Sequence, residues 1–271
     1  MKKLSLLIMI TVAGLAFGAN AQFKLNVRTT DAAKKISRSF VYSDEDAAQQ
    51  AKQAVEWMDN HNEVAAENDS YATRMRRIFA AHANEDGLSL NYKVYKVTDI
   101  NAFACADGSV RVFSALMDIM TDEELLAIIG HEIGHVKNHD SRDAMKAAYM
   151  RTGGKELAAS QSNKAAILSE TQLGDMAEGM ISSNHSRKQE SEADDYSYEF
   201  LKKHNYNVLA AYTAFMKLTK LSEAASEQSR FQKMFNSHPD SKARAEEIER
   251  KARKDGFWKE PVYLIFDGTQ R

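Results

Sequence analysis

His131-Glu132-Ile133-Gly134-His135 sets two imidazoles four residues apart, with a carboxylate next to the first. On a helix, residues four apart stack on one face a turn from each other. Both rings can then reach a single metal ion, while Glu132 on the adjoining face can contact a water held beside it. That arrangement suits hydrolysis of a carbonyl compound, because the metal polarises the carbonyl and the carboxylate takes a proton from the attacking water. The arrangement works only on a helix, and the sequence supplies its start. Thr121-Asp122-Glu123-Glu124 is a capping box, in which the Thr hydroxyl and the Glu124 carboxylate satisfy the orphan N–H groups of the first turn. Leu125, Leu126, Ile128, Ile129, Ile133 and Val136 then give the helix an apolar surface nearly all round. The alternative, that these are solvated residues on an exposed face, fits such a helix poorly, and two histidines and a glutamate buried without partners are costly. A metal satisfies them.

A catalytic zinc takes three protein ligands and keeps one position for water. The extended motif with a third histidine is ruled out, because Asn138 stands where its glycine belongs and Ser141 where its histidine belongs. His139 is expected one turn further along the same helix, too far along a straight axis to share the ion, in a surface or supporting role. The stronger candidate is Glu190, in Glu190-Ser191-Glu192-Ala193-Asp194. Glu190 and Asp194 are four apart, so one can ligate while the other accepts a hydrogen bond from a ligating imidazole and fixes its tautomer. Ala193 leaves room for close helix packing, and Glu192 and Asp195 point elsewhere. The expected metal is one Zn2+ per chain, held by His131, His135 and Glu190.

The elements around these residues follow from composition and period. The chain has two prolines in 271 residues and abundant Ala, Glu, Lys, Met and Leu, so it should be mainly helical. Apolar positions from Asp44 to about Asn84 recur at helical spacing and predict one or two scaffold helices. Leu90, Tyr92 and Val94 alternate, and Asn101 to Ala104 and Val110 to Phe113 flank Asp107-Gly108, which predicts a small sheet with a hairpin. Residues 140 to 186 are helical in composition but weakly apolar. Helices are expected over Arg187 to Lys203, Val208 to Glu223 and Lys242 to Lys254, and a short strand over Pro261 to Phe266. The predicted fold is α+β, predominantly α-helical and zincin-like, with the metal-motif helix, a glutamate-ligand helix and a small β-sheet with an edge strand.

The first residues carry a separate signal. Lys2 and Lys3 precede an apolar stretch from Leu4 to Phe17, shorter than the roughly 20 residues of a membrane span, and Ala19-Asn20-Ala21 has the small-x-small pattern of a signal-peptidase site. Residues 1–21 are therefore expected to be a signal peptide and 22–271 a single domain with its core at about 44–254. No cysteine follows the apolar stretch, so a lipoprotein is disfavoured and a periplasmic or secreted location is expected. Losing Lys2 and Lys3 shifts the formal charge from −2 to −4 with charges of both signs interspersed, which argues against nucleic acid as a partner. Cys105, the single cysteine, has apolar neighbours and no activating base, and reads as a buried structural thiol.

Taken together, these pieces resemble the CAAX prenyl endopeptidases and HtpX heat-shock peptidases, within the gluzincins. The resemblance rests on Asn101-Ala102-Phe103, the helix with His131-Glu132-Ile133-Gly134-His135-Val136, Glu190-Ser191-Glu192-Ala193-Asp194, and Ser237-His238-Pro239 with Arg244, in order over about residues 90 to 250. It implies that His238 and Arg244 face the metal, His238 supporting an oxyanion or occupying the fourth zinc position in a closed state. It also implies that the strand around Arg111 to Phe113 pairs with an extended substrate backbone. Unlike the best-known members, the chain has no membrane-spanning run after residue 21, and so resembles the exported soluble branch that acts in envelope protein quality control. The expected activity is zinc-dependent hydrolysis of internal peptide bonds, with protein or peptide substrates such as misfolded envelope proteins, Glu132 as base, and His238 and Arg244 as further catalytic residues. A polar stretch at about 152–184, containing Gly153-Gly154, is expected to cover the cleft as a mobile lid. Two other readings are a chaperone-like zinc protein that binds unfolded chains with little proteolysis, and a zinc hydrolase of a non-peptide substrate.

Overall fold

The computed structural model describes residues 42–151, 168–224 and 232–261. The expected signal peptide, the first half of the expected lid (152–167) and residues 262–266 of the expected terminal strand lie outside the described residues. Helix α1 (Asp44–His61) starts at a Ser43/Asp46 capping box and buries Ala47, Ala51, Ala54, Val55 and Met58, while α2 (Ser70–Phe79) is capped by Asp69. The helical period before residue 84 thus resolves into two helices.

A 3-10 turn (Ala80–His82) leads into β1 (Asn84–Glu85) and β2 (Leu88–Ser89), a tight antiparallel pair. Its turn residues Asp86 and Gly87 both have positive φ, the conformation that Asp-Gly turns adopt at least cost. The second sheet contains β3 (Asn91–Tyr95), β4 (Ala102–Ala104) and β5 (Ser109–Phe113) in the order β3-β5-β4. β5 runs parallel to β3 and antiparallel to β4, and the β4–β5 hairpin turns at Asp107-Gly108, where a Cβ on Gly108 would lie 2.0 Å from the Ser89 carbonyl oxygen.

This topology corrects one expectation. The strand around Arg111 to Phe113 has no free edge for a substrate, because β5 is paired on both sides. The Arg111 side chain is buried, with Nε and Nη2 donating to Asp59 at 2.8 and 3.0 Å and Nη1 donating to the Asn91 carbonyl at 3.0 Å. Arg111 therefore ties the sheet to α1, and β4 is the edge strand that lies against the metal-motif helix.

That helix, α4 (Asp122–Lys137), follows the short α3 (Ser114–Ile119) and has the expected cap: Thr121 N–H donates to Glu124 Oε2 at 2.8 Å, and Glu124 N–H to Thr121 Oγ1 at 3.2 Å. It ends earlier than expected. Asn138 caps it, and His139 sits at φ 64°, exposed, with Nδ1 3.6 Å from Asp44. His139 is therefore at a chain reversal before α5 (Asp140–Arg151) and not on a further turn of α4. In the weakly apolar region, α5 and α6 (Glu170–Ile181) pack on each other and on α1.

The glutamate helix α7 (Arg187–Lys203) makes the most extensive contact with α4. Gly130 and Gly134 allow this approach. A Cβ on Gly134 would lie 3.0 Å from Ala193 Cα and 3.1 Å from Ala193 O, and one on Gly130 would lie 3.0 Å from Phe200 Cδ1. Between them, Ser197 Oγ donates to the Ala127 carbonyl at 2.6 Å. Gly134→Val is accordingly expected to push α7 off α4, destabilising the fold by about 1–3 kcal/mol and weakening metal retention. Denaturant unfolding with metal analysis checks this, and a variant matching wild type in both would contradict it.

Helix α8 (Leu209–Ala224) packs on α4 and on α10 (Ser241–Lys254), and α9 (Gln232–Ser237) leads into His238. The observed architecture is α+β and mainly helical, as expected. Among the described residues no helix is long and apolar enough to cross a membrane.

Candidate active site

Four side chains from three segments converge on one point. His131 and His135 come from α4, Glu190 from the first turn of α7, and His238 from the segment joining α9 to α10, and all four are buried. His131 Nε2 lies 3.0 Å from His135 Nε2 and 3.5 Å from Glu190 Oε2, and His135 Nε2 lies 3.3 Å from Glu190 Oε1. His238 Nδ1 is 3.2 Å from His131 Nε2 and 3.1 Å from Glu190 Oε1. For bonds of roughly 2.0–2.1 Å, the edges of a tetrahedral zinc site measure about 3.3 Å, which these separations match.

Each imidazole is oriented from behind. His131 Nδ1 lies 2.8 Å from Asp194 Oδ1, and His135 Nδ1 lies 2.9 Å from Asp140 Oδ2, whose other oxygen accepts from Gln189 at 2.7 Å. Carboxylates at Nδ1 leave both Nε2 lone pairs facing inward. Arg244 reaches in from α10. Its Nε and Nη2 donate to Asp194 at 2.8 and 2.6 Å, and Nη1 lies 2.7 Å from Glu190 Oε2. That last contact is ionic, without hydrogen-bond alignment, and leaves Glu190 Oε2 a buried oxygen with no hydrogen-bond donor among the described residues. Arg244 Nη2 also comes within 3.0 Å of His131 Nδ1, but the ring nitrogen pairs with the carboxylate, since both nitrogens are donors once Nδ1 carries its proton. The guanidinium packs on the Phe215 ring at 4.1 Å.

The electrostatics follow from this enclosure. Burial, with Arg244 and His135 adding positive charge, pushes His131 down to about 3 despite Asp194. Burial also opposes a charged His135, but Asp140 and Glu190 outweigh it and hold the ring at about 9. Glu190 is buried too, yet His135 and His238 keep its carboxyl far below the usual range. Against the same desolvation, Arg244 and His131 hold Asp194 down to about 2. Glu132 differs: burial dominates and raises it, with Oε1 3.5 Å from His238 Nε2. Glu132, Asp140, Glu190 and Asp194 thus gather around the Arg244 guanidinium and the His135 ring, and four carboxyl groups at two imidazoles, one of them with an under-satisfied oxygen, fit a divalent cation that takes the place of the His135 proton.

Every residue expected in the site is brought to this point, Asp194 and Arg244 behind the cage and Glu132 beside it. Sequence reasoning missed Asp140 and His185. Asp140 lies five residues after His135, a spacing that no longer reports proximity once the helix ends at Asn138. His185 stacks on the His135 ring, with centroids 3.8 Å apart and planes at 15°, and no helical or strand period marked it. Cys105 is buried, and burial raises its thiol well above the usual value, in keeping with a structural role. Along with β4 residues, Cys105 lines the cleft in front of Glu132 and His135.

A family model described as Peptidase family M48 matches residues 66–252 of this chain. The chain belongs to peptidase family M48. Over 207 residues the M48 chain is 42% identical to Metalloprotease YcaL of Escherichia coli (strain K12), covering 76% of this chain and 80% of that one. Over 258 residues it is 37% identical to Metalloprotease LoiP of the same strain, covering 95% of this chain and all of that one. Metalloendopeptidase OMA1, mitochondrial, of Bos taurus is 26% identical over 209 residues, 72% of this chain and 40% of that one. The matched span includes the α4 motif, the α7 carboxylates, His238 and Arg244, in agreement with the resemblance to the HtpX peptidases. This M48 chain is a metalloendopeptidase, a class of enzyme whose chemistry depends on a bound metal.

Proposed function

We propose that this M48 peptidase is a zinc endopeptidase that cleaves internal bonds of exported proteins, and that His131, His135 and Glu190 hold the zinc. The observation that carries the reading is the convergence of two Nε2 atoms and a carboxylate at tetrahedral spacing, with Glu132 beside them. Two imidazoles and a carboxylate suit zinc and leave a fourth position for chemistry. Zinc bound there supplies Lewis acidity, polarising the scissile carbonyl and acidifying the attacking water.

The chain's own residues do the rest. Asp194 and Asp140 hold the two rings in the tautomer that presents Nε2. Glu132, raised by burial, takes the proton of the attacking water and passes it to the leaving amine. Arg244 clamps Asp194 and Glu190 so that both α7 carboxylates stay ionised and oriented. His238 has Nδ1 at the fourth vertex and Nε2 toward Glu132, which supports a closed arrangement. When the His238 segment moves aside, the ring can donate to the developing oxyanion. The substrate backbone adds to β4, the edge strand beside α4, with the Ala102 carbonyl and Ala104 N–H directed away from β5. The leader-like start of the chain supports export, and misfolded envelope proteins are the substrate class proposed on that basis.

The test is casein hydrolysis by the full chain. Cleavage is expected to stop on treatment with a chelator and to return on adding Zn2+. Cleavage that survives removal of all metal would overturn the reading, and turnover of small esters or amides with intact casein would favour a non-peptide hydrolase.

A further inference from the structure

A second group of ligating side chains lies where the β1–β2 hairpin meets the C-terminal end of α7. His82 closes the 3-10 turn, Glu85 belongs to β1, and His204 caps α7. His82 Nδ1 lies 3.1 Å from Glu85 Oε2, and His204 Nε2 lies 3.0 Å from the same oxygen. One ligand atom from each residue falls within 4.8 Å of the other two. His82 is 1% and Glu85 3% exposed, and His204 stands at the cluster's open side. Fourteen residues of helix separate His204 from Glu190, about 21 Å of rise, so this cluster is distinct from the peptidase centre.

We propose that His82, Glu85 and His204 bind a second divalent transition-metal ion, which fastens the β1–β2 hairpin to the helix carrying Glu190 and Asp194. Two imidazoles and a carboxylate favour zinc, nickel or copper over magnesium or calcium. The ring of His82 is already oriented for ligation. Its Nε2 meets the Tyr206 hydroxyl at 2.9 Å, which turns Nδ1 toward Glu85, and the Phe200 ring lies against it with centroids 4.9 Å apart. A ligating histidine characteristically has such a partner on its second nitrogen.

Lys203 is the group a cation must displace, since its Nζ lies 2.5 Å from Glu85 Oε1. The same Nζ lies 2.8 Å from Asp86 Oδ1, and the side chain is 51% exposed. The ammonium can therefore keep Asp86 as its counter-ion while Glu85 turns to the metal.

The test is a metal count on untagged full-length protein, stripped with chelator and titrated with Zn2+ and then Co2+. Wild type is expected to bind two equivalents, and Glu85→Gln/His204→Ala to bind one while keeping casein hydrolysis. His131→Ala/His135→Ala is expected to keep one equivalent and to gain thermal stability on adding Zn2+, a gain that disappears when the Glu85 and His204 changes are added. Saturation of wild type at one equivalent would overturn the proposal, as would a second equivalent that survives Glu85→Gln/His204→Ala. If His131→Ala/His135→Ala does not fold, the comparison of wild type with Glu85→Gln/His204→Ala decides alone. A network of hydrogen bonds and ion pairs without a metal corresponds to the one-equivalent outcome.

Discussion

Glu132→Gln protein is expected to bind as much metal as wild type and to lose casein hydrolysis by a factor of about 10²–10⁴, the usual contribution of a positioned general base. The amide keeps the shape and burial of the side chain but cannot accept a proton. Glu132 is not among the four residues whose donors converge, so its replacement leaves the cage intact. The raised carboxyl adds to the expectation, because a base closer to neutral pH both accepts and returns a proton readily. Metal analysis and casein cleavage on one preparation check this, and a folded, metal-loaded Glu132→Gln enzyme of wild-type activity would remove Glu132 from the mechanism.

Arg244→Met is expected to have the largest effect on the fold. Arg244 is buried, and three of its nitrogens engage Asp194 and Glu190. Methionine approximates its length but leaves two buried carboxylates without their cation, a loss of about 3–5 kcal/mol when one partner of a buried ion pair is removed. Both carboxylates are held below their usual range partly by this guanidinium or by its imidazole neighbours. Removing the guanidinium should therefore raise them and weaken the hold on both rings. Arg244→Lys should recover part of the stability, since it restores charge but not the bidentate fork on Asp194. Denaturant unfolding of the three proteins gives the order wild type, Lys, Met, and equal stability of Met and wild type would contradict the ion-pair account.

The parts of the site legible in the sequence are those that helix geometry sets locally. The Thr121 capping box fixes where α4 begins, and the four-residue spacings of His131/His135 and Glu190/Asp194 place each pair on one face without knowledge of the rest of the chain. Ala193 hinted at close packing, and its partner Gly134 completes the contact. What long-range packing decides was not legible. β5 is a central strand because β3 joins it in parallel from the side opposite β4, and no alternation pattern reports that, so nothing local countered the resemblance's implication that the Arg111 strand is a substrate edge, when Arg111 is a buried tie to Asp59. Asp140 became a partner of His135 only because the chain reverses at His139 in a left-handed conformation. His238 and Arg244 had no local signal. Resemblance supplied them, and the structure places them at the fourth vertex and behind the α7 carboxylates.

The central claim is that Glu190 completes the cage begun by His131 and His135. The most direct measurement is metal content by elemental analysis on folded Glu190→Ala beside wild type, with casein hydrolysis on the same samples. The expected result is one metal equivalent fewer than wild type and no cleavage. Glu190→Ala protein with wild-type metal content and activity would show that the third ligand lies elsewhere and would contradict the account.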